Sequence, residues 1–200
     1  MPPMSDHPGM YVAEIAELFP PQGTWTEADY LRLPHSRRVV ELAGGRLIVQ
    51  PPPTPTHQRV AGELAIALDQ YLQANPIGEV LFAALVVRLG LNQLRMPDVL
   101  FLRHEHAPRK RRHWIEGPPD WIAEVLAPET RAIDEGEKLA EYARAAIPET
   151  WLVDPDARAI RVYVLSDLLP EYTLAARYIP GQIAVAETIP GFAVAVDQLV

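Results

Sequence analysis

The chain has 200 residues, of which 48% are hydrophobic and 22% are charged, a balance typical of one ordinary globular domain with a real core. It contains no cysteine, which excludes a disulfide scaffold and a cysteine-ligated zinc site and fits a reducing cytoplasm. The net charge of −8 argues against a protein that coats nucleic acid through a broad basic surface. An enzyme that uses carboxylates to hold metal is compatible with that charge.

No apolar run is long enough to span a membrane, and residues 1–9 lack the basic start and apolar stretch of a signal peptide. We therefore expect a cytoplasmic protein without membrane contact. Pro and polar residues dominate the N-terminus, so residues 1–23 are predicted to be disordered or extended. Residues 24–200 are predicted to form a single domain.

The first predicted elements are a short helix and a hairpin. Thr26 and Asp29 have the spacing of a capping box that opens a helix, and Pro34 ends it. Two β-branched runs surround Gly44-Gly45, which predicts a β-hairpin over residues 38–50.

The middle of the chain predicts a long helix and three strands. The helix covers residues 56–73, where apolar residues repeat every four positions. The strands are predicted at 79–89, 96–103 and 120–127, with a turn at 90–95. Both faces of the third strand are apolar, so it is predicted to be central and buried, and Glu124 within it is an outlier.

The last third of the chain predicts one helix and a strand meander. The helix covers 134–146, and strands follow at 150–154, 160–165, 172–178, 182–186 and 193–196. This element order predicts an α/β (α+β) fold in which helices flank a mixed sheet, with an added N-terminal hairpin and a C-terminal meander. The open sheet edges lead us to expect a homodimer.

Two acidic residues interrupt apolar strands. Asp98 lies within Met96–Leu102, and Glu124 lies within Trp121–Leu126. Burying a carboxylate is costly unless something pairs with it. A structural arginine partner is the simpler interpretation for a single acid, whereas two acids on neighbouring strands favour a shared Mg²⁺, which prefers oxygen ligands. Such an ion would polarise a phosphate and activate a water.

Among three further ionisable residues, Lys138 and His57 have two interpretations each and Glu41 has one. Lys138 follows Glu124 on the next helix, where it either orients a water at the site or forms a surface ion pair with Asp134. His57 begins the long helix and either faces the site or caps the helix. Glu41 alternates with apolar residues in the hairpin, which favours a position at the surface.

A strongly basic segment separates the second and third central strands. Residues 103–113 read RHEHAPRKRRH and contain five Lys or Arg, three His and one Glu. The pattern fits either a solvated basic loop or a loop that contacts phosphate.

An ordered set of short motifs resembles a known family. The motifs are Val40–Gly45, Pro53–Gln58, Pro97–Val99, Gly117–Asp120, Glu124–Arg131, Asp134 with Lys138 and Tyr142, and Trp151–Pro155. Together they resemble the Uma-two family of restriction-endonuclease-like proteins, a branch of the PD-(D/E)XK nuclease superfamily. The resemblance implies a restriction-endonuclease-like core, a divalent metal and phosphodiester hydrolysis on DNA.

The resemblance also implies roles for three central residues. Asp98 matches the aspartate of the PD motif, and Glu124 matches the acid of the following strand. The superfamily places a lysine two residues after that acid, but this chain has Leu126 there. The resemblance implies that the lysine has moved to the helix, at Lys138.

Further site residues follow from the same resemblance. Glu41 and His57 match positions of the family pattern, which implies Glu41 as a further metal ligand and His57 as a contact to the scissile phosphate or the water. The backbone carbonyl of Val125 is implied as another ligand of Mg²⁺, with Mn²⁺ as a substitute ion.

Two other classes of function stay open on the sequence. A catalytically inactive nuclease-fold scaffold would bind nucleic acid or a protein and would not respond to metal. A different metallohydrolase would cleave a small phosphoester and ignore nucleic acid. The fold alone does not choose among these functions.

Overall fold

The computed structural model describes residues 19–33, 39–82 and 84–200. Its helices are α1 (Glu27–Leu31), α2 (Pro55–Ala74), a 3₁₀-helix (His104–Arg109), a π-helical segment (Ile133–Lys138), α3 (Leu139–Arg144) and α4 (Val196–Leu199). Among these described helices, none has the length and apolar character that a membrane crossing needs.

The strands form three sheets. They are β1 (Val40–Ala43), β2 (Arg46–Val49), β3 (Gly78–Phe82), β4 (Val86–Gly90), β5 (Gln93–Arg95), β6 (Val99–Arg103), β7 (Trp114–Glu116), β8 (Trp121–Val125), β9 (Glu149–Asp154), β10 (Ala159–Leu165), β11 (Tyr172–Tyr178), β12 (Ile183–Val185) and β13 (Ala193–Ala195). Within the described residues, the large sheet has the order β11-β10-β9-β8-β6-β3, the small sheet β2-β1-β5-β4-β7, and β12 pairs with β13.

Strand β8 lies at the centre of the large sheet, as predicted. It runs antiparallel to β6 and parallel to β9, and all five of its residues are buried. The parallel pair requires a crossover between β8 and β9, and the π-helical segment with α3 provides it. Because both faces of the strand are covered, its side chains are apolar on both sides, except Glu124.

Helices cover both faces of the large sheet, which confirms the predicted α+β architecture. On one face, the apolar stripe of α2 packs against Trp121 and Trp151, whose ring centroids lie 5.4 Å apart. On the other face, Tyr142 of α3 packs near Ile122, together with residues of the small sheet. The hydroxyl of Thr54 accepts the His57 N–H and caps α2, which defines where this helix begins.

The predicted N-terminal hairpin is β1 and β2 of the small sheet. Gly44 and Gly45 connect these strands with φ of 55° and 75°, a turn that requires glycine-like freedom at both positions. A Cβ at Gly45 would lie 2.4 Å from the carbonyl oxygen of Gly23, so this position also requires the absence of a side chain. The capping box of Thr26 and Asp29 is confirmed as well.

Several sequence predictions are wrong in detail. The predicted strand 79–89 is two strands, β3 and β4, which belong to different sheets. Both halves are apolar, so hydrophobicity alone does not reveal the break. The predicted turn 90–95 contains β5, and the basic segment 103–113 contains the 3₁₀-helix. Strands β12 and β13 pair with each other and do not extend the meander.

Two predictions fall wholly or partly on residues outside the description. The predicted disordered or extended segment 1–23 is described only from residue 19 onwards, and the predicted helix end at Pro34 lies in the gap 34–38.

A buried arginine joins the small sheet to the π-helical segment and α3. Arg95 on β5 is fully buried and contacts Glu41 at 3.0 Å, Glu137 at 2.7 Å and Glu141 at 2.6 Å. These acids come from β1, the π-helical segment and α3, so one guanidinium connects three elements. A buried charge of this kind is stable only because its partners surround it.

We predict that Arg95→Met lowers the free energy of unfolding by about 3–5 kcal/mol, because it leaves buried carboxylates without their cation. Arg46→Met is the matched control, since Arg46 also binds Glu137 but has a half-exposed side chain, and it should cost less than about 1 kcal/mol. Urea denaturation at neutral pH measures both values. Equal losses in the two variants would contradict the structural role of Arg95.

Candidate active site

The five residues predicted to be catalytic all line one cavity. It opens between the two sheets at the start of α2, and its wall includes Glu41, His57, Asp98, Glu124 and Lys138. They come from β1, α2, the residue before β6, β8 and the π-helical segment, so only the folded chain brings them together. Val125, the predicted backbone ligand, lies in the same wall.

Asp98 is the residue immediately before β6, and its side chain continues the pairing of β6 with β8. The β6–β8 ladder pairs Val99 with Ala123, and beyond it Oδ2 of Asp98 accepts the N–H of Val125 at 2.8 Å. The same oxygen lies 3.1 Å from Nε2 of His57. In the described part of the chain, no hydrogen bond reaches Oδ1, so one carboxylate oxygen is left for a ligand.

Glu124 is buried in the middle of the large sheet. Its Oε1 accepts hydrogen bonds from Nζ of Lys138, at 3.0 Å, and from the hydroxyl of Tyr142. Burial raises the pKa of Glu124 to about 8, opposed by the charge of Lys138 and reinforced by the charges of Asp98 and Asp134. Among the described residues, its Oε2 accepts no hydrogen bond.

Lys138 is buried among three carboxylates. Nζ lies 3.0 Å from Glu124, 3.0 Å from Asp134 and 3.7 Å from Glu41. Burial lowers the pKa of Lys138, but these negative charges, led by Glu124, raise it well above its ordinary value. The ion pair with Asp134 that the sequence suggested is therefore present, but it lies in the interior and not at the surface.

Asp134 is a site residue that sequence reasoning did not select. It is buried, lines the cavity and lies in the π-helical segment with Lys138. The wider π-helical turn replaces the ordinary α-helix predicted for this stretch, and such turns are frequent at functional sites. The signal in the sequence was the four-residue spacing of Asp134 and Lys138, which equally fits a surface pair.

Glu41 is fully buried, although its alternation with apolar residues favoured a position at the surface. Oε2 accepts hydrogen bonds from Arg95 and Gln50, and Oε1 accepts the N–H of Met96. Burial raises the pKa of Glu41, but the charges of Lys138 and Arg95 outweigh this effect and lower it. Both oxygens of this carboxylate thus already have partners.

His57 lies in the first turn of α2 and contacts Asp98. Burial lowers the pKa of His57, but the hydrogen bond to Asp98 and the charge of Asp98 outweigh it and raise the pKa above 6.5. Nδ1 of the ring is buried and has no hydrogen-bond partner among the described residues. His57 therefore contacts Asp98 through Nε2 of its ring.

The donor set fits a hard divalent ion that takes few protein ligands. In the described residues, no three His, Cys, Asp or Glu side chains converge as a metal cluster. Mg²⁺ typically takes only one or two carboxylates and completes its shell with water and substrate oxygens. Within the part of the chain that the structure describes, Asp98 and Glu124 each present one oxygen without a hydrogen bond. In a β-strand, the N–H and the C=O of one residue point towards the same neighbouring strand. Because the N–H of Val125 donates to Asp98, the carbonyl of Val125 also points towards β6.

We predict that Asp98→Asn lowers the pKa of His57, because burial then acts without the carboxylate charge that opposes it. Since the pKa of His57 is raised in the fold, the stability that this pair contributes is present below pH 6.5 and is lost as pH rises through the folded pKa. NMR titration of the ring protons measures the shift. Asp120→Asn is the control, since Asp120 binds His106 instead. An unchanged pKa in Asp98→Asn would contradict the pairing.

Comparison with known proteins identifies a family and a similar fold. The model of the Uma2 family, described as "Putative restriction endonuclease", matches residues 27–197. A crystal structure from Anabaena variabilis ATCC 29413, described as a "putative nuclease belonging to DUF820", has a TM-score of 0.73 with this chain at 20% sequence identity. The match covers 87% of this chain and 96% of that one, and it shows a shared fold. No curated protein matches the chain.

The family match spans most of the chain and includes every residue of the cavity named above. It confirms the family that the ordered motifs indicated. This protein therefore belongs to the Uma2 family and shares its fold with the Anabaena protein described as a putative nuclease.

Proposed function

We propose that this protein is a Mg²⁺-dependent nuclease that hydrolyses phosphodiester bonds in DNA. One observation carries the proposal: Asp98 and Glu124, from adjacent strands, and the buried cation Lys138 line a single cavity. Two carboxylates that each keep an oxygen free, beside a fixed positive charge, suit a phosphate and a hard ion.

Asp98 and Glu124 would hold the ion, together with the carbonyl of Val125, and Mn²⁺ could replace Mg²⁺. When bound, a divalent ion polarises a phosphoryl oxygen and lowers the pKa of a coordinated water. Glu41 is proposed to position Lys138, and not to bind metal, because both of its oxygens have partners.

Lys138 is proposed to orient the attacking water and to offset negative charge that develops on the phosphate. A lysine with a raised pKa remains protonated, so it donates hydrogen bonds and does not serve as a base. Asp134 and Glu41 hold the ammonium from two sides, which fixes its position before substrate arrives.

His57 and Tyr142 are proposed to position the two acids. The ring of His57 holds Oδ2 of Asp98, and the hydroxyl of Tyr142 holds Oε1 of Glu124. Each contact leaves the second oxygen of its carboxylate available. This role for His57 replaces the direct contact with phosphate or water that the family resemblance implied.

A second candidate function has its own observation. Lys138 already offsets part of the negative charge of Glu124 and Asp134, so the cluster contains a cation of its own without an added ion. That arrangement also suits a catalytically inactive scaffold that binds nucleic acid or a protein partner. Such a scaffold would not cleave DNA with any divalent metal.

The homodimer stays a prediction. Strand β11 is an edge strand of the large sheet, and most of its side chains are exposed, which offers a surface for pairing. Sedimentation velocity at micromolar concentrations tests it, and a single monomeric species would count against it.

We predict that wild-type protein cleaves plasmid DNA with Mg²⁺ or Mn²⁺ and that Asp98→Ala abolishes this cleavage, because the variant loses one of two ionic metal ligands. Asp69→Ala is the control, since Asp69 is an exposed acid on α2 outside the cavity, and it should cleave like wild type. Gel electrophoresis of the products measures both. Unchanged cleavage by Asp98→Ala would overturn the assignment of the site.

A further inference from the structure

The basic segment 103–113 concentrates positive charge in an acidic protein. It holds five of the 18 Lys and Arg residues but one of the 26 Asp and Glu residues, while the whole chain has a net charge of −8. We call residues 109–113, which read RKRRH, the basic turn. The proposed catalytic residues do not include any part of it.

The fold holds the basic turn in a defined position. Nδ1 of His106 lies 2.8 Å from Asp120, and the guanidinium of Arg109 donates to the carbonyl of Pro118. At the tip, the N–H of Arg111 donates to the carbonyl of Trp114 at 2.8 Å. These contacts fix the backbone, so binding a ligand here would require little further ordering.

Among the described residues, three arginines of the basic turn form no ion pair with an acid. Lys110 pairs with Glu79, whereas the guanidinium groups of Arg109 and Arg111 donate hydrogen bonds to backbone carbonyls, which carry no net charge. Arg112 makes no ion pair with any residue that the structure describes, and it is exposed, like Arg111 and His113. A purely structural turn in so acidic a chain would not require this excess of charge.

The pairing of β4 with β7 places the basic turn at the end of these strands that is nearer the cavity. Strands β4 and β7 are parallel, and Val86 lies opposite Trp114. Two residues before Val86 is Ala84, which lines the cavity, and two residues before Trp114 is Arg112. Parallel strands begin at the same end, so the turn and this wall of the cavity lie on the same side of the pair.

We propose that the basic turn binds the phosphate backbone of duplex DNA beside the cavity, through Arg111 and Arg112. The proposal rests on the proposed function, because it concerns how the same substrate is held. Guanidinium groups match phosphate geometry, and backbone contacts position a duplex without reading its sequence. The turn would then supply the affinity that an acidic cavity cannot provide for a polyanion.

The test is a salt titration of binding by the full chain, in EDTA so that no cleavage occurs, with a short fluorescently labelled DNA duplex as the probe. Each phosphate contact contributes about 0.9 to the slope of log K against log salt concentration. The Arg111→Gln/Arg112→Gln double variant should therefore show a slope smaller in magnitude by about 1.8 than wild type.

A matched double variant controls for net charge. Arg144→Gln/Arg177→Gln removes two exposed arginines, one on α3 and one on β11, at the opposite edge of the large sheet from β3. Since Lys110 of the turn pairs with Glu79 on β3, the control lies far across the sheet from the turn. Its slope should equal that of wild type.

Three results would overturn the proposal: no binding by wild type, an unchanged slope in the Arg111/Arg112 variant, or equal reductions in both double variants. A cleavage assay on the same proteins separates these results from failure of the proposed function. Cleavage by wild type with an unchanged slope in the turn variant would refute only the role of the turn. Turn-dependent binding without cleavage under any metal would refute only the nuclease.

Discussion

The arrangement of this protein depends on one buried ammonium group. Nζ of Lys138 lies within 3.0 Å of both Glu124 and Asp134 and 3.7 Å from Glu41. Each of these charges would be costly to bury alone, and removal of one partner leaves the others uncompensated. The central strand β8, the hairpin strand β1 and the π-helical segment are therefore held in one relative position by charge. The same contacts place the ammonium at the cavity, so structural and proposed catalytic requirements fall on the same residues.

Glu41 connects this cluster to a second buried cation, Arg95. Because Glu41 contacts both Lys138 and Arg95, the small sheet is joined to the helical crossover directly behind the cavity. Asp98 and His57 complete the other wall, where a side chain extends the β6–β8 pairing past its last backbone contact. The cavity thus lies where two sheets and two helices meet. Among the described residues, its neighbours orient Asp98 and Glu124 and leave one oxygen of each carboxylate without a hydrogen bond. This arrangement suits the proposed site for a hard ion and a phosphate.

The acids of the site were predictable because a charged residue inside an apolar strand is a local signal. Asp98 and Glu124 have that signal, and the ordered motifs added His57, Glu41 and Lys138, all of which line the cavity. The burial of Lys138 was not predictable, since its partners come from three separate stretches and its spacing from Asp134 equally fits a surface pair. The break between β3 and β4 was hidden because both halves are apolar. Strand β5 was read as a turn, so the role of Arg95 was missed with it. Local patterns reveal which residues are unusual, whereas tertiary contacts decide what they do.

The most direct measurement is thermal unfolding of wild type and Asp98→Asn, each with and without MgCl₂. It requires no knowledge of the substrate, and the substitution changes one carboxylate into its isosteric amide. If Asp98 and Glu124 hold the ion, Mg²⁺ raises the Tm of wild type, by an amount that corresponds to about 2.7 kcal/mol at a concentration near 100 times Kd, and leaves the variant unchanged. A wild type that does not respond to Mg²⁺, or an equal response in both proteins, would contradict a metal site at these acids.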